Sequence, residues 1–454
     1  MKKNEIKGYN TIKQILLFLL FVILLIYITY CAKVLFQPKE SYYKYKDFFR
    51  EKEEYDVLFF GSSHTENFFN PMVLWKKYGI TSYNFGNSEE PISVTYWTIR
   101  NAIHIKKPKV IVVDLFMYNR ELESREYFNE KVHYSLDYFP MTREKISAIY
   151  NLSNNKEEFV DKIFTLSTYH SRWKNLNDDR MAIDYFVNGF LSYGHPVTMG
   201  VESFEANEIT DKKSNEINQE DIDYINKIIE LCNEESISLI FTSTPYVCSP
   251  SEQMDINYLS DVISESGVQF VNYNKKNDVI DYDVDLYNIG HVNATGAKKV
   301  TESIGSILSE KYLDSISHDE STTNCWDEKY KKYIQLKLES VWAVDELDST
   351  LMLMNDEDLN SYLFCQPGIT IESDRTKKLI DNICSTKSNH IFNIDSEYFD
   401  ELTREIDYDN EADVYVLVCD ANEVIILKSF RMIDDKFVGK TEYVKFESEY
   451  LFND

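Results

Sequence analysis

Three short runs of buried-strand residues constrain the fold most. They are Val57-Leu58-Phe59-Phe60, Lys109 to Leu115 (KVIVVDL) and Ser236 to Thr242 (SISLIFT). Each is nearly continuous in apolar residues rather than alternating. A strand of that kind needs cover on both faces, as in a parallel sheet sandwiched between helices. Segments with helical spacing lie between and beyond them: Pro91 to Ile105, Glu220 to Glu234, Glu252 to Ser266 and Asn293 to Leu313. A short helix is expected at Leu74 to Tyr78, and short strands at Thr81 to Phe85 and Val268 to Val271. This alternation predicts an α/β fold with a doubly wound, mostly parallel sheet in a three-layer sandwich.

The first run ends in Gly61-Ser62-Ser63-His64. Gly61 gives the backbone freedom for a sharp turn. Two hydroxyls and an imidazole then emerge at the carboxyl end of a strand, the edge where open α/β sheets bind ligands. Hydroxyls there also commonly cap the next helix.

Before the sheet comes Ile15 to Val34, apolar except for Lys33 and preceded by Lys2, Lys3, Lys7 and Lys13. Residues 15–34 are long enough to cross a bilayer. The lysines would keep residues 1–14 in the cytoplasm and place the later domains outside it. A cleaved signal peptide is the competing reading. The run is longer than a typical signal core, and Thr29-Tyr30-Cys31 lacks small residues for cleavage. A cell-membrane anchor in contact with lipid is therefore the expectation.

Formal net charge is -28, without Lys/Arg clusters, which excludes a nucleic-acid-wrapping protein. The seven cysteines show no CxxC spacing, and the histidines form no His-x-x-x-His pair, so no metal site and no cofactor are expected. Cys232 and Cys419 read as buried thiols. Glu121 to Asn215 breaks the α/β rhythm and reads as an insertion over the sheet edge. The α/β domain is placed at 35–316 and is expected to fold without the C-terminal third of the chain. His318 to Asn324 reads as a polar linker, and Trp326 to Leu338 as a helix. Val414 to Val418 and Glu423 to Leu427 read as paired strands around Asp420-Ala421-Asn422. Residues 326–454 are thus expected to form a smaller, acidic α+β domain.

The second informative stretch is Asp283 to Lys298, DVDLYNIGHVNATGAK, just before the last helix of the α/β domain. A serine after the first strand and His291 before the last helix can meet across a doubly wound sheet as nucleophile and base. Alone, His291 reads rather as a helix-capping or packed histidine.

Together, Gly61-Ser62-Ser63-His64 and Asn288-Ile289-Gly290-His291-Val292-Asn293 resemble the first and last blocks of the SGNH (GDSL-like) hydrolase family. The resemblance covers about Tyr55 to Leu313. It is closest to the membrane-anchored bacterial branch that includes the alginate O-acetylation and teichoic acid D-alanylation proteins. It implies an SGNH or flavodoxin-like sandwich with Ser63 as nucleophile and His291 as base. Ser62 stands where the family has aspartate. Gly86, in Tyr83-Asn84-Phe85-Gly86-Asn87, matches the family's oxyanion glycine, though it reads equally as a turn glycine. Asn119 is the nearest residue to the family's third-block asparagine. Tyr169 to Trp173 and Thr244-Pro245-Tyr246 also resemble this branch. His170 and Arg172 are candidates for the cleft wall, against a reading as aromatic packing with a rim arginine. His64 is a candidate second site group, against a reading as a turn histidine.

One departure stands out. The family places an aspartate three residues before its histidine, and here that position is Asn288. Asp285 or Asp283 could supply the missing carboxylate, Ser63 and His291 could work as a dyad, or the site could be silent. Asp285 is favoured, because it lies on the loop entering His291. The resemblance implies an extracytoplasmic esterase or O-acyltransferase acting on a cell-surface glycan or wall polymer. Its acyl donor could come from a membrane acyltransferase. The rival is a catalytically silent adaptor that binds a glycan or such a membrane partner.

Overall fold

In a computed structural model of the chain, the described residues are 2–37, 44–45, 48–49, 54–175, 191–192, 195–214, 218–275, 278–313, 316–369, 371–386, 391–408, 411–420, 423–433 and 436–445. Helix α1 spans Lys2–Phe36. Its portion Ile12–Phe36 has 25 residues and is long and apolar enough to cross a membrane, and its most apolar window is not buried in the protein. A signal sequence has the same length and composition.

The α/β domain opens with β1 (Val57–Phe60), α2 (Ser63–Phe68), α3 (Pro71–Tyr78), β2 (Ser82–Asn84), α4 (Ile92–Ile105) and β3 (Val110–Asp114). The expected insertion comes next, as α5 (Arg125–Leu136), α6 (Arg143–Asn151), α7 (Lys156–Ile163) and α8 (Leu166–Tyr169). A 3-10 turn (His170–Asn175) and a small hairpin of β4 (Leu191–Ser192) and β5 (His195–Pro196) complete it. The domain then runs through α9 (Gln219–Glu234), β6 (Ser238–Ser243), α10 (Pro250–Glu265), β7 (Gln269–Asn272), β8 (Leu286–Asn288), β9 (His291–Val292) and α11 (Ala294–Lys311).

The main sheet has the order β2-β1-β3-β6-β7, and every pairing is parallel. Successive side chains of a strand point to opposite faces, and here both faces are apolar. Leu58, Phe60, Ile111, Val113, Leu239 and Phe241 pack in one core with residues of α4 and α9. Val57, Phe59, Val110, Val112 and Ile240 pack in the other with α11. Strand order reverses beside β1, so the crevice outside its carboxyl end is the switch point of a flavodoxin-like sheet.

The C-terminal part carries α12 (Glu320–Ala343), α13 (Leu347–Met354), β10 (Asn360–Cys365), α14 (Asp374–Thr386), β11 (Ile391–Asn393) and α15 (Glu397–Thr403). Strands β12 (Val414–Asp420), β13 (Glu423–Ile433) and β14 (Lys436–Val444) complete it. They form a separate sheet, β11-β10-β12-β13-β14, antiparallel except for β10 with β11. The strands expected at Val414 and Glu423 pair as read, whereas Ala421 and Asn422 lie outside the described residues.

Most of the stretch read as a linker is helix. Asp319 caps α12 by accepting from the Thr322 amide at 2.7 Å, which starts the helix inside the polar stretch. Helix α12 also serves both domains. Trp326 is fully buried in the α/β core against Tyr55 and Trp75, and Asn70 donates to the Tyr333 hydroxyl at 2.7 Å. Further along, Val341 belongs to the core of the C-terminal domain.

Candidate active site

Gly61 sits at φ 137°, where a Cβ would lie 2.5 Å from Thr65 Oγ1 and 2.8 Å from the Asp114 carbonyl oxygen. Only glycine makes this turn without strain. The two serines then take different roles. Ser62 caps α2, its Oγ accepting from the His64 amide at 3.3 Å. Ser63 opens the helix with its side chain toward the last loop of the domain.

There His291 meets it: Nε2 lies 2.9 Å from Ser63 Oγ. The other ring nitrogen, Nδ1, lies 3.0 Å from Asn288 Oδ1. That same Oδ1 accepts from the amides of Gly290 at 2.9 Å and His291 at 3.0 Å, which identifies it as the oxygen of the amide. An oxygen only accepts here, so Nδ1 carries the proton. Nε2 therefore turns a lone pair to the serine hydroxyl. Burial lowers the His291 pKa and the nearby Glu66 carboxylate opposes that shift; the net direction is downward. The imidazole is thus an unprotonated base near neutral pH.

The expectation that Asp285 assists His291 is corrected. Asp285 is fully buried, and its Oδ2 accepts from the Asp281 amide at 2.6 Å and pairs with Lys299 Nζ at 2.5 Å. It braces the loop rather than the imidazole. Asp283 is turned to Ser203 and Lys378.

Gly86, the candidate oxyanion glycine, and Asn119, the candidate third-block asparagine, are also engaged elsewhere. Gly86 donates its N–H to Asn84 Oδ1 at 2.8 Å. A Cβ on it would sit 2.2 Å from the Glu66 nitrogen and 2.8 Å from the Ser62 carbonyl oxygen, so it is a glycine because α2 rests on it. Asn119 (φ 58°) is held away by α9 and α10: its amide donates to Asp221 at 2.9 Å and its side chain to Asp255 at 3.2 Å. Asparagine tolerates the left-handed conformation that this turn requires.

His64 does lie at the site, fully buried. Its ring stacks on Phe116 at 3.4 Å and stands 5.4 Å from the ring of His291, with Nδ1 2.8 Å from Thr244 Oγ1. Burial, then repulsion from His291 when that ring is protonated and from Arg120, hold its pKa well below the usual value. His170 and Arg172 serve the insertion. They lie in the 3-10 turn that packs on the end of α1, where Arg172 Nη1 donates to the Phe36 carbonyl at 2.8 Å.

Several groups around the site were not singled out from sequence. Asp114, at the end of β3, accepts from the Phe116 amide at 3.0 Å, the Thr244 amide at 2.9 Å and Thr242 Oγ1 at 3.1 Å, while burial raises its pKa to about 6. Its place at a strand's carboxyl end was visible in KVIVVDL. Glu66 pairs with the buried Lys44 at 2.9 Å, and Lys44 also donates to the Gly86 carbonyl. Glu90, fully buried near them, has a pKa raised to about 7 by burial. No sequence pattern announces this cluster, because its members come from separate segments. Among the described residues, no group of histidines, cysteines and carboxylates has the makings of a metal site. A cavity of about 510 Å³ lies in the C-terminal domain beside Asp348, Arg375 and Phe437, with none of the Ser63 or His291 surroundings in its walls. The hydrogen-bonded geometry, not cavity volume, locates the chemistry.

No family profile matches this chain, and no curated protein matches it. Solved structures that resemble it include a protein from Desulfitobacterium hafniense assigned as a lipolytic protein of the G-D-S-L family. It is 12% identical, with 56% of this chain and 98% of the other covered and a TM-score of 0.28. Another, from Bacteroides fragilis, is assigned as an acylhydrolase. It is 12% identical, with 57% and 88% covered and a TM-score of 0.26. The fold described above rests on the chain's own sheet order.

Proposed function

We propose that this protein is a membrane-anchored serine esterase or O-acyltransferase of the SGNH kind, acting on acyl esters of a cell-surface polysaccharide or wall polymer. The observation that carries the reading is the aligned set Asn288 Oδ1, His291 and Ser63 Oγ, with separations of 3.0 and 2.9 Å. Ser63 Oγ bonds to the acyl carbon as its proton passes to His291 Nε2. The Ser63 N–H, in the first turn of α2, faces the oxyanion. His291 then gives that proton to the departing alkoxide. Water, or a polymer hydroxyl, attacks the acyl-serine, its proton passes to Nε2 and returns to Ser63 Oγ, and the acyl group leaves on the acceptor. Asn288 positions the imidazole and fixes its tautomer without touching substrate. Helix α1, read as an uncleaved anchor with its N-terminus in the cytoplasm, keeps the site near lipid-linked substrates, with an acyl donor from a membrane acyltransferase.

The second reading is a silent adaptor, favoured by one observation: the imidazole's partner is an amide, not a carboxylate. A fluorophosphonate probe separates the two. The enzyme reading expects covalent labelling that Ser63→Ala abolishes. Labelling that survives Ser63→Ala, or no labelling of the intact protein, would overturn it.

A further inference from the structure

Outside α1, half of the large apolar side chains that the described residues expose fall between Met141 and Phe164. Ile146 (43% exposed) and Tyr150 (71%) stand four residues apart on α6. That spacing stacks them on one helix face. Val160 is exposed on the neighbouring α7, and the exposed ring of Phe164 comes one turn later. The other side of α6 is already built into the fold: Ala148 and Ile149 are buried, and buried Lys145 donates to the carbonyls of Asp137 and Phe139 at 2.9 Å. A surface helix with one covered face normally turns polar residues outward. This one turns Ile146 and Tyr150 outward as well, between exposed Arg143 and Asn151 at its ends.

The position of this face says what covers it. Helix α8 and the adjoining 3-10 turn pack on the end of α1, and Arg172 holds the Phe36 carbonyl at 2.8 Å. Helix α7 packs on both α6 and α8. Lys33, in the last turn of α1, is close enough to act on the charge of Lys145 on α6. The exposed face therefore adjoins the point where the apolar helix meets the folded domain.

We propose that the α6–α7 face is a second membrane contact, seated at the boundary of headgroups and acyl chains of the leaflet from which α1 emerges. This rests on α1 being a membrane span, as proposed above. Tyrosine suits that depth, with an apolar ring and a polar tip. The contact is apolar rather than electrostatic, since exposed Arg143 on α6 and Lys156 on α7 are offset by exposed Glu157 and Asp161. It is therefore insensitive to salt and to the share of anionic lipid. Two attachments fix the orientation of the domain, which a single helix would leave free to swing.

The test uses the full chain in phosphatidylcholine vesicles, with lipids brominated in the upper acyl chain as contact quenchers. Tyr150→Trp places an indole on the face. Ile433→Trp, on an exposed position of the C-terminal domain, is the reference. The emission that Tyr150→Trp adds over wild type should be mostly lost in brominated lipid, and equally so in high salt. The emission that Ile433→Trp adds should be unchanged. Unquenched emission from Tyr150→Trp in protein that resists carbonate extraction would overturn the contact while leaving the anchor standing. Unquenched emission with concentration-dependent crosslinking at the face would overturn it in favour of a second copy of the chain. Release by carbonate would overturn the anchor, and this inference with it.

Discussion

Replacing Asn288 by aspartate puts a charge where the structure has only a dipole. The oxygen that accepts from His291 Nδ1 at 3.0 Å, and from the Gly290 and His291 amides, can stay in place. Among the described residues no acceptor takes Asn288 Nδ2, so the new oxygen costs no hydrogen bond. Two unit charges about 4 Å apart interact by about 4 kcal/mol at an effective dielectric of about 20. His291 is only partly buried, and Glu66 already acts on it, so a gain of about 2–3 kcal/mol is the working figure. That corresponds to roughly 30- to 150-fold in rate, below the roughly 10⁴-fold that the opposite change costs a serine protease. The same interaction raises the pKa of His291. The assay is the pre-steady-state rate of fluorophosphonate labelling between about pH 5 and 9, the range spanning histidine titration. Wild type should lose rate as pH falls through a His291 pKa below its usual value. Asn288→Asp should raise the high-pH plateau and move the inflection upward. At neutral pH the two effects oppose each other, so only the full profile is diagnostic. Asp285→Asn should leave the profile where it is, because that carboxylate meets Lys299 instead. An unchanged plateau and inflection in Asn288→Asp, or a collapsed plateau in Asp285→Asn at full folding, would refute the assignment.

Ser63→Ala should remove labelling and ester turnover with little change in Tm, since the Ser63 hydroxyl bonds only to His291 among the described contacts. Gly86→Ala retains the backbone N–H but forces a methyl against the backbone of Glu66 and Ser62. It should lower stability by about 1–3 kcal/mol or more, read as a fall in Tm in detergent; an unchanged Tm would reopen an oxyanion role. Glu90 has a folded pKa of about 7, raised from 4.5 by burial. Its folded state holds a proton that the unfolded chain releases across that window, so stability falls as pH rises through it. Glu90→Gln should therefore stabilise the protein at pH 8 by up to about 3 kcal/mol and change little near pH 4; equal effects at both would contradict the buried-acid reading.

The sheet was legible because its three central strands, β1, β3 and β6, are apolar on both faces, a pattern that admits few other folds. The serine and histidine were legible because each borders a strand or helix end in the expected order. What sequence could not show was hydrogen-bond direction. Gly86 sits where a donor was expected, but the Asn84 side chain two residues earlier takes its N–H. Asp285 looked close to His291 along the chain, yet the β8–β9 hairpin turns it to the opposite side. The linker reading failed for a local reason: HDESTTN is polar, but its aspartate is a helix cap and the residues after it are the first turns of α12. Arg172 was a candidate for the cleft wall or a rim arginine, and it meets a carbonyl at the end of α1.

The displaced carboxylates explain why an amide serves beside His291. The loop from Asp281 to His291 crosses between the two domains and needs fixing at several points. Lys378, on α14 of the C-terminal domain, binds Asp281 at 2.7 Å and Asp283 at 2.6 Å. That cation, with the Ser203 hydroxyl, holds the Asp283 pKa down and keeps it charged. Val284, next to Asp283, is buried in the core of the C-terminal domain, and Asn293 donates to its carbonyl at 2.8 Å. Asp285 closes the inner side of the turn through Lys299. Each carboxylate on the loop is therefore committed to holding it in place. An additional one at Asn288 would add negative charge beside His291, where the Glu66 carboxylate already acts, raising repulsion wherever His291 is neutral. The amide makes the same three hydrogen bonds without that repulsion, so the loop keeps its shape and the imidazole its tautomer, at the expense of charge in the transition state. Because the frame is anchored through Lys378 and Val284, the geometry of a base in the α/β domain depends on a domain that contributes no reacting group.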